Sequence, residues 1–218
     1  MCVIAVSKRG ADQPSERVMR EMWDANPHGA GYMFARNGRV YIHKGFMDVE
    51  DFLAAVKRER FGKDDPVVYH FRISTQGGVN PQMTHPFPLA TDLDAMEWLD
   101  LSCACGVAHN GIITRYSTPA CKATGYSDTA LFITDYLSRV IRTSDDLHSD
   151  VTMSDVEKAA GSKLAILDKS GDIVTVGKFT SSGGILYSND YWCWPKRYGY
   201  YKPSRKIRYN DWYGWGVR

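Results

Sequence analysis

Met1-Cys2-Val3-Ile4-Ala5-Val6 opens the chain, and how it is read governs the reading of the rest. Val3 to Val6 is a short apolar run of strand type, and the cysteine at its head has two readings. In the ordinary one it is a small hydrophobe at the start of a buried strand. In the other, trimming of Met1 leaves Cys2 as the first residue. One residue then carries a thiol, ordinarily near pKa ~8.5, and an α-amine near ~8 that can accept the thiol proton at neutral pH. The surrounding chain has to decide between them.

Working outward, residues 7–11 read as a turn. Pro14 begins a helical pattern with Val18, Met19, Met22 and Trp23 on one face, ending at Asn26-Pro27 because proline disfavours helix in the residue before it. Pro27-His28-Gly29-Ala30-Gly31-Tyr32 is a loop running into a strand, and Asn37-Gly38 between 32–35 and 39–44 predicts a hairpin. Asp48 caps a second helix with Phe52, Leu53 and Val56 on its apolar stripe. Residues 66–72 read as a strand, and 79–89 as an irregular segment broken by Pro81, Pro86 and Pro88. A second buried strand, 104–109, ends in Asn110-Gly111-Ile112-Ile113.

A third helix is predicted over 128–142, then a Ser/Asp-rich loop over 143–150 and a short helix over 154–160 capped by Ser154. Strands follow at 163–167, 172–176 and 185–188. Strands in hairpins interspersed with helices predict an α+β fold with antiparallel sheet, not a doubly wound one. No glycine-rich phosphate loop of the P-loop or dinucleotide kind is present.

Composition sets the bounds. The 218 residues are 44% apolar and 24% charged, ordinary for a globular chain with a packed core. The five cysteines (Cys2, Cys103, Cys105, Cys121, Cys193) are odd in number and unevenly spaced, which predicts reduced thiols, not a disulfide scaffold. A formal net charge of +2 gives no global basic field for nucleic acid. The N-terminus lacks a secretory pattern and no run of ~18 apolar residues occurs, so the expectation is a cytoplasmic protein without a transmembrane helix.

Four stretches together resemble the class II glutamine amidotransferases, the N-terminal-nucleophile family that releases ammonia from glutamine. Met1-Cys2 with its apolar strand matches the family's processed cysteine. His70-Phe71-Arg72-Ile73-Ser74-Thr75 is similar to its His-x-Arg-x-x-Thr segment. Val107-Ala108-His109-Asn110-Gly111-Ile112-Ile113 resembles its His-Asn-Gly stretch. Ser127-Asp128-Thr129, opening a helix, resembles the segment whose aspartate holds the substrate amine. Asn26-Pro27-His28-Gly29-Ala30-Gly31 and His85-Pro86 look more loosely like segments lining the family's site.

The resemblance implies a four-layer αββα sandwich of two stacked antiparallel sheets over residues 1–190. It implies hydrolysis of glutamine to glutamate and ammonia through a Cys2 thioester, without metal or cofactor. In that scheme Arg72 holds the α-carboxylate, Asp128 the α-ammonium, and Asn110 with the Gly111 N–H forms the oxyanion hole; Thr75, His85, Gly29 and Gly31 belong to the substrate-binding site. Chemistry agrees with the roles, since a guanidinium grips a carboxylate bidentately and an aspartate holds an ammonium. Many family members have histidine where this chain has Gln76 and an aromatic where it has Ile73. No second catalytic domain follows, so the ammonia would pass to a separate synthase subunit, or the protein would hydrolyse a glutamine-like amide on its own.

The remaining candidates carry simpler readings. Residues 191–218 hold Trp192, Trp194, Trp212 and Trp215, six tyrosines and seven Lys/Arg, a tail suited to packing on the core or a partner, or to stacking on single-stranded nucleic acid. A zinc site from Cys103, Cys105, Cys121 and His109 lacks paired Cys-x-x-Cys spacing. His70 is expected as a hydrogen-bonded core histidine. His43 and His148 are expected exposed, and Asp64-Asp65 and Asp145-Asp146 as solvated turn charges.

Overall fold

The computed structural model of the protein describes residues 1–193, so most of the aromatic and basic tail lies outside the described residues. It contains two antiparallel sheets. The first has seven strands: β1 (Val3–Ser7), β2 (Ala30–Arg36), β3 (Arg39–Phe46), β4 (Val67–Phe71), β6 (Asp100–Cys103), β10 (Thr180–Ser182) and β11 (Ile185–Tyr187), in the order β10-β11-β1-β4-β2-β3-β6. The second has four, β5 (Phe87–Pro88), β7 (Cys105–Asn110), β8 (Lys163–Asp168) and β9 (Ile173–Val176), in the order β5-β7-β8-β9.

Local chemistry explains the elements. Helix α1 (Glu16–Ala25) starts at Ser15, whose hydroxyl accepts the Val18 N–H, and stops before Pro27. Asp48 caps α2 (Val49–Glu59) by accepting the N–H groups of Glu50 and Asp51. Asn37 and Gly38 both take positive φ (52° and 71°), the twist a two-residue hairpin loop needs between β2 and β3.

The central strands β1, β4 and β8 are buried along almost their whole length, which is why they read as unbroken apolar runs. Along β1, Val3 and Ala5 join Met19, Met22 and Trp23 of α1 and Phe52 of α2 in one apolar cluster. The alternate residues Ile4 and Val6 join Ala108 of β7 and Ala165 and Leu167 of β8, so this second cluster holds side chains from both sheets. On the second sheet, Val107, Leu164 and Ile166 pack with Phe132, Ile133 and Leu137 of the helical run that begins at Asp128.

Several boundaries differ from the sequence expectation. After the short helix α3 (Pro119–Ala123), the run from Asp128 comprises α4 (Asp128–Phe132), a π turn (Ile133–Leu137) and a last turn (Ser138–Val140), and Ile141 is already extended. Residues 143–150, expected as a loop, include a helix at Ser144–His148 held by a reciprocal capping box between Thr143 and Asp146. The next helix, Asp150–Ala160, is capped by Ser149 and not by Ser154, which lies exposed inside it. Dense Ser and Asp here are caps, so Asp146 is a bonded cap and not a free turn charge.

His43 is half-buried, 5.2 Å from the Tyr32 ring and bonded to Asp100 of β6, a strand absent from the sequence reading. Asp65 likewise pairs with Arg36. His148 is exposed. Trp192, at the start of the tail, packs against Tyr187 with ring centroids 5.1 Å apart. No helix among the described residues is long and apolar enough to cross a membrane.

Candidate active site

Antiparallel pairing brings the first two sequence motifs side by side. Val3 of β1 is opposite Phe71 of β4, so Cys2 and Arg72, the residues flanking that pair, share one end of the sheet. The Cys2 sulfur lies 3.4 Å from both the backbone N–H and the carbonyl of Ile73. Burial pushes its thiol pKa up, opposed by the Ile73 N–H and the Arg72 charge.

Arg72 is 3% exposed, and the loop after β4 curls around it. Its two terminal nitrogens donate to the carbonyls of Gly78 and Gln76, each at 2.7 Å. The Arg72 backbone is held by Gly29, whose carbonyl accepts its N–H at 2.8 Å. Among the described residues no carboxylate lies within ion-pair distance of the guanidinium. Its direct hydrogen bonds are thus to neutral carbonyls, with the Asp128 carboxylate acting on the charge only through space, an arrangement an incoming anion would complete.

Gly111 follows β7 at φ +148°, and a Cβ there would stand 2.5 Å from the Ser162 Cβ, so only glycine fits the turn. Asp128 is buried at the first turn of α4, with Oδ2 accepting the Ile113 N–H at 2.7 Å and Oδ1 the Thr129 N–H at 2.9 Å. Cys2, Arg72, Thr75, His85, Gly111 and Asp128 all border one small cavity, together with Ile73, Gln76, His109 and Ser127. Its volume, about 10 Å³, suits a single water.

Three of the residues expected at the site lie beside this cavity, not in its wall. Gly29 braces Arg72. Gly31 leaves room for the chain carrying His85, since a Cβ on it would stand 2.3 Å from the His85 carbonyl oxygen. Asn110, 4% exposed, turns its Nδ2 to the Ser188 hydroxyl at 2.8 Å.

The histidines behind the cavity have assignable protons. His70 Nε2 is 2.9 Å from the His109 carbonyl, which only accepts, so that nitrogen carries the proton. His85 Nδ1, 2.9 Å from the same His70 nitrogen, must then accept, which leaves the proton of His85 on Nε2, a buried atom without a partner among the described residues. Burial drives the His70 pKa down to about 3 and that of His85 well below the usual range, so both rings are neutral. His70 is the core histidine the sequence predicts.

Gln76, in sequence a departure from the family pattern, lines the cavity, and the pair Ser188-Asn189, to which no sequence motif points, lies beside it. The Gln76 amide nitrogen donates to the carbonyls of Tyr116 and Tyr126, both at 3.1 Å, which fixes its unpartnered Oε1 as a buried acceptor in the cavity-lining residue. The Asn189 amide donates to the Cys2 carbonyl at 2.6 Å. The pair has no local motif; only long-range pairing brings 188–189 to Cys2.

Among the described residues Cys103, Cys105, Cys121 and His109 do not come within metal-sharing distance as a group; Cys103 donates to the Cys105 carbonyl, and His109 is bonded to Thr129 and Ser162. Among the described residues, the group of His and acidic atoms close enough to share an ion is His148, Asp168 and Asp172, at the β8–β9 turn. No protein-family model matches the chain, and no curated protein matches it in sequence.

Proposed function

We propose that the chain carries a class II glutamine amidotransferase domain with the αββα layering of that family, hydrolysing the glutamine side-chain amide to glutamate and ammonia. The observation that carries this reading is the convergence of Cys2, the buried Arg72 guanidinium, Gly111 and Asp128 on one cavity. A thiol beside an anion site and a carboxylate is suited to an α-amino acid bearing an amide.

In the proposed reaction the substrate α-carboxylate completes Arg72 with Thr75 at its edge, and the α-ammonium meets Asp128. Removal of Met1 turns the Cys2 nitrogen from an amide into an amine. That amine takes the thiol proton as sulfur bonds to the side-chain carbonyl carbon. The oxyanion accepts from the Gly111 N–H and the remaining Asn110 Nδ2 hydrogen, each such donor lowering the barrier by roughly 3–4 kcal/mol. The C–N bond breaks, the amine's proton leaves with nitrogen as ammonia, and a thioester remains. Water, deprotonated by the same amine, attacks the thioester, releasing glutamate and restoring the thiol. The wall of the cavity has to open to admit glutamine, which is far larger than one water.

The test is intact-mass measurement before and after treatment with an electrophilic glutamine analogue, alongside an ammonia-release assay. The expected result is loss of Met1, one adduct on Cys2, and neither adduct nor ammonia release in Cys2→Ala. Unchanged ammonia release in that variant overturns the mechanism. Labelling without glutamine turnover would redirect the same nucleophile to another amide.

A further inference from the structure

Ser188 follows the last strand of the first sheet and is 1% exposed. Its N–H donates to the Ile4 carbonyl at 2.9 Å, and its hydroxyl oxygen accepts the Ile4 N–H at 2.8 Å, so the side chain extends the β1–β11 ladder by one rung. The same oxygen accepts from Asn110 Nδ2 at 2.8 Å. Its carbonyl accepts from the Lys163 ammonium of β8. One oxygen therefore joins the nucleophile's strand in the first sheet to the end of β7 in the second.

A hydroxyl oxygen has two acceptor sites, and Ile4 and Asn110 use both. With one Nδ2 hydrogen committed to Ser188, the Asn110 amide plane is set and a single N–H is left to point elsewhere. Catalytic donors lose much of their effect when displaced by as little as ~1 Å. The separation between Cys2 and that N–H depends on Ser188 through Ile4, two residues from the nucleophile, and is reinforced by the neighbouring Asn189 amide on the Cys2 carbonyl at 2.6 Å.

We infer that Ser188 is a positioning residue of the reaction, aligning the Asn110 donor with the Cys2 strand through its hydroxyl; this rests on the glutaminase reading proposed above. Acting only through Asn110 and the strand, it governs turnover and leaves glutamine recognition to Arg72 and Asp128.

The experiment is a double-mutant cycle of Ser188→Ala and Asn110→Ala, each variant checked by thermal melting. Ser188→Ala is expected to lower kcat by about 10-fold with KM within about 2-fold, and the double variant to match Asn110→Ala in kcat. Additive losses, a change confined to KM, or an unchanged kcat overturns the inference. A second measurement needs neither the variant's folding nor turnover: the Asn110 side-chain amide protons of the wild-type protein, identified by their loss in Asn110→Ala, are followed by NMR. One proton exchanging with solvent much more slowly than its geminal partner supports the clamp, and two protons exchanging as fast as those of an exposed amide refute it. If wild-type protein releases no ammonia, the glutaminase reading falls and this measurement decides the Ser188 clamp on its own.

Discussion

Arg72 shows how much of the site a single residue type reveals and where that stops. In sequence it is an arginine at a strand end, ordinarily half of a surface ion pair; in the fold it is buried, and among the described residues its side-chain hydrogen bonds go to the Gly78 and Gln76 carbonyls. Charge-assisted hydrogen bonds are worth about 1.5–3 kcal/mol, so Arg72→Ala is expected to raise the KM for glutamine about 10- to 100-fold while kcat falls less. Steady-state kinetics per folded molecule checks this, and unaltered constants remove Arg72 from recognition. The Cys2 nitrogen gives a companion test: a variant with an uncleavable residue ahead of Cys2 keeps an amide there and is expected to release ammonia at least ~100-fold more slowly. Cys2, Arg72, Gly111 and Asp128 were legible because each carries its chemistry within a short motif. Ser188 was not, because its role comes from a partner 78 residues away in the chain, Asn110; Gln76 stood out only as a departure from the family pattern, and its bond to Tyr116, 40 residues away, was hidden.

At the scale of elements, caps and hairpin signals read correctly where the partners are local. Asp48 and Asn37-Gly38 are such cases, while Ser149 was passed over for Ser154 because both precede plausible helical runs. Strand β6 escaped because Asp100-Leu101-Ser102-Cys103 has little apolar alternation and exists by pairing with β3, Ser102 opposite Tyr41. Gly31 illustrates a constraint that is structural and not chemical. An added Cβ would meet the His85 carbonyl at 2.3 Å and the His43 carbonyl at 2.9 Å, backbone atoms on two sides that cannot swing away. Gly31→Ala is therefore expected to destabilise the fold by about 1–3 kcal/mol through overpacking. In a chain of this size that is a drop in melting temperature of roughly 3–10 °C. Turnover should fall with it, since His85 borders the cavity. A melting temperature unchanged in Gly31→Ala would show that β2 and the His85 segment separate easily.

For the whole molecule the consequence of this architecture is a pH dependence set by what lies around the site. His70, His85 and His109 are all buried, and burial holds each below its usual range, His70 to about 3 and His109 to about 4. The unfolded chain titrates its histidines near pH ~6.5. Between that value and the folded pKa the unfolded state binds more protons than the native one, so stability rises with pH across the interval. The contribution is fully present above about pH 6.5 and is lost as pH falls toward the folded values. Glu50 and Asp146, carboxylates held below their ordinary values by Arg20 and by the Arg142 and Thr143 N–H groups, add to acid sensitivity only at still lower pH. From pH 7 to 5.5 each buried histidine should cost roughly 1 kcal/mol, or about 2–4 kcal/mol for the three. Urea unfolding at the two pH values measures this directly. A midpoint falling toward pH 5.5 at constant m-value is the expected result. A flat or rising midpoint would mean that the imidazoles find a proton acceptor on charging, and the neutral His70–His85 pair behind Cys2 would have to be abandoned.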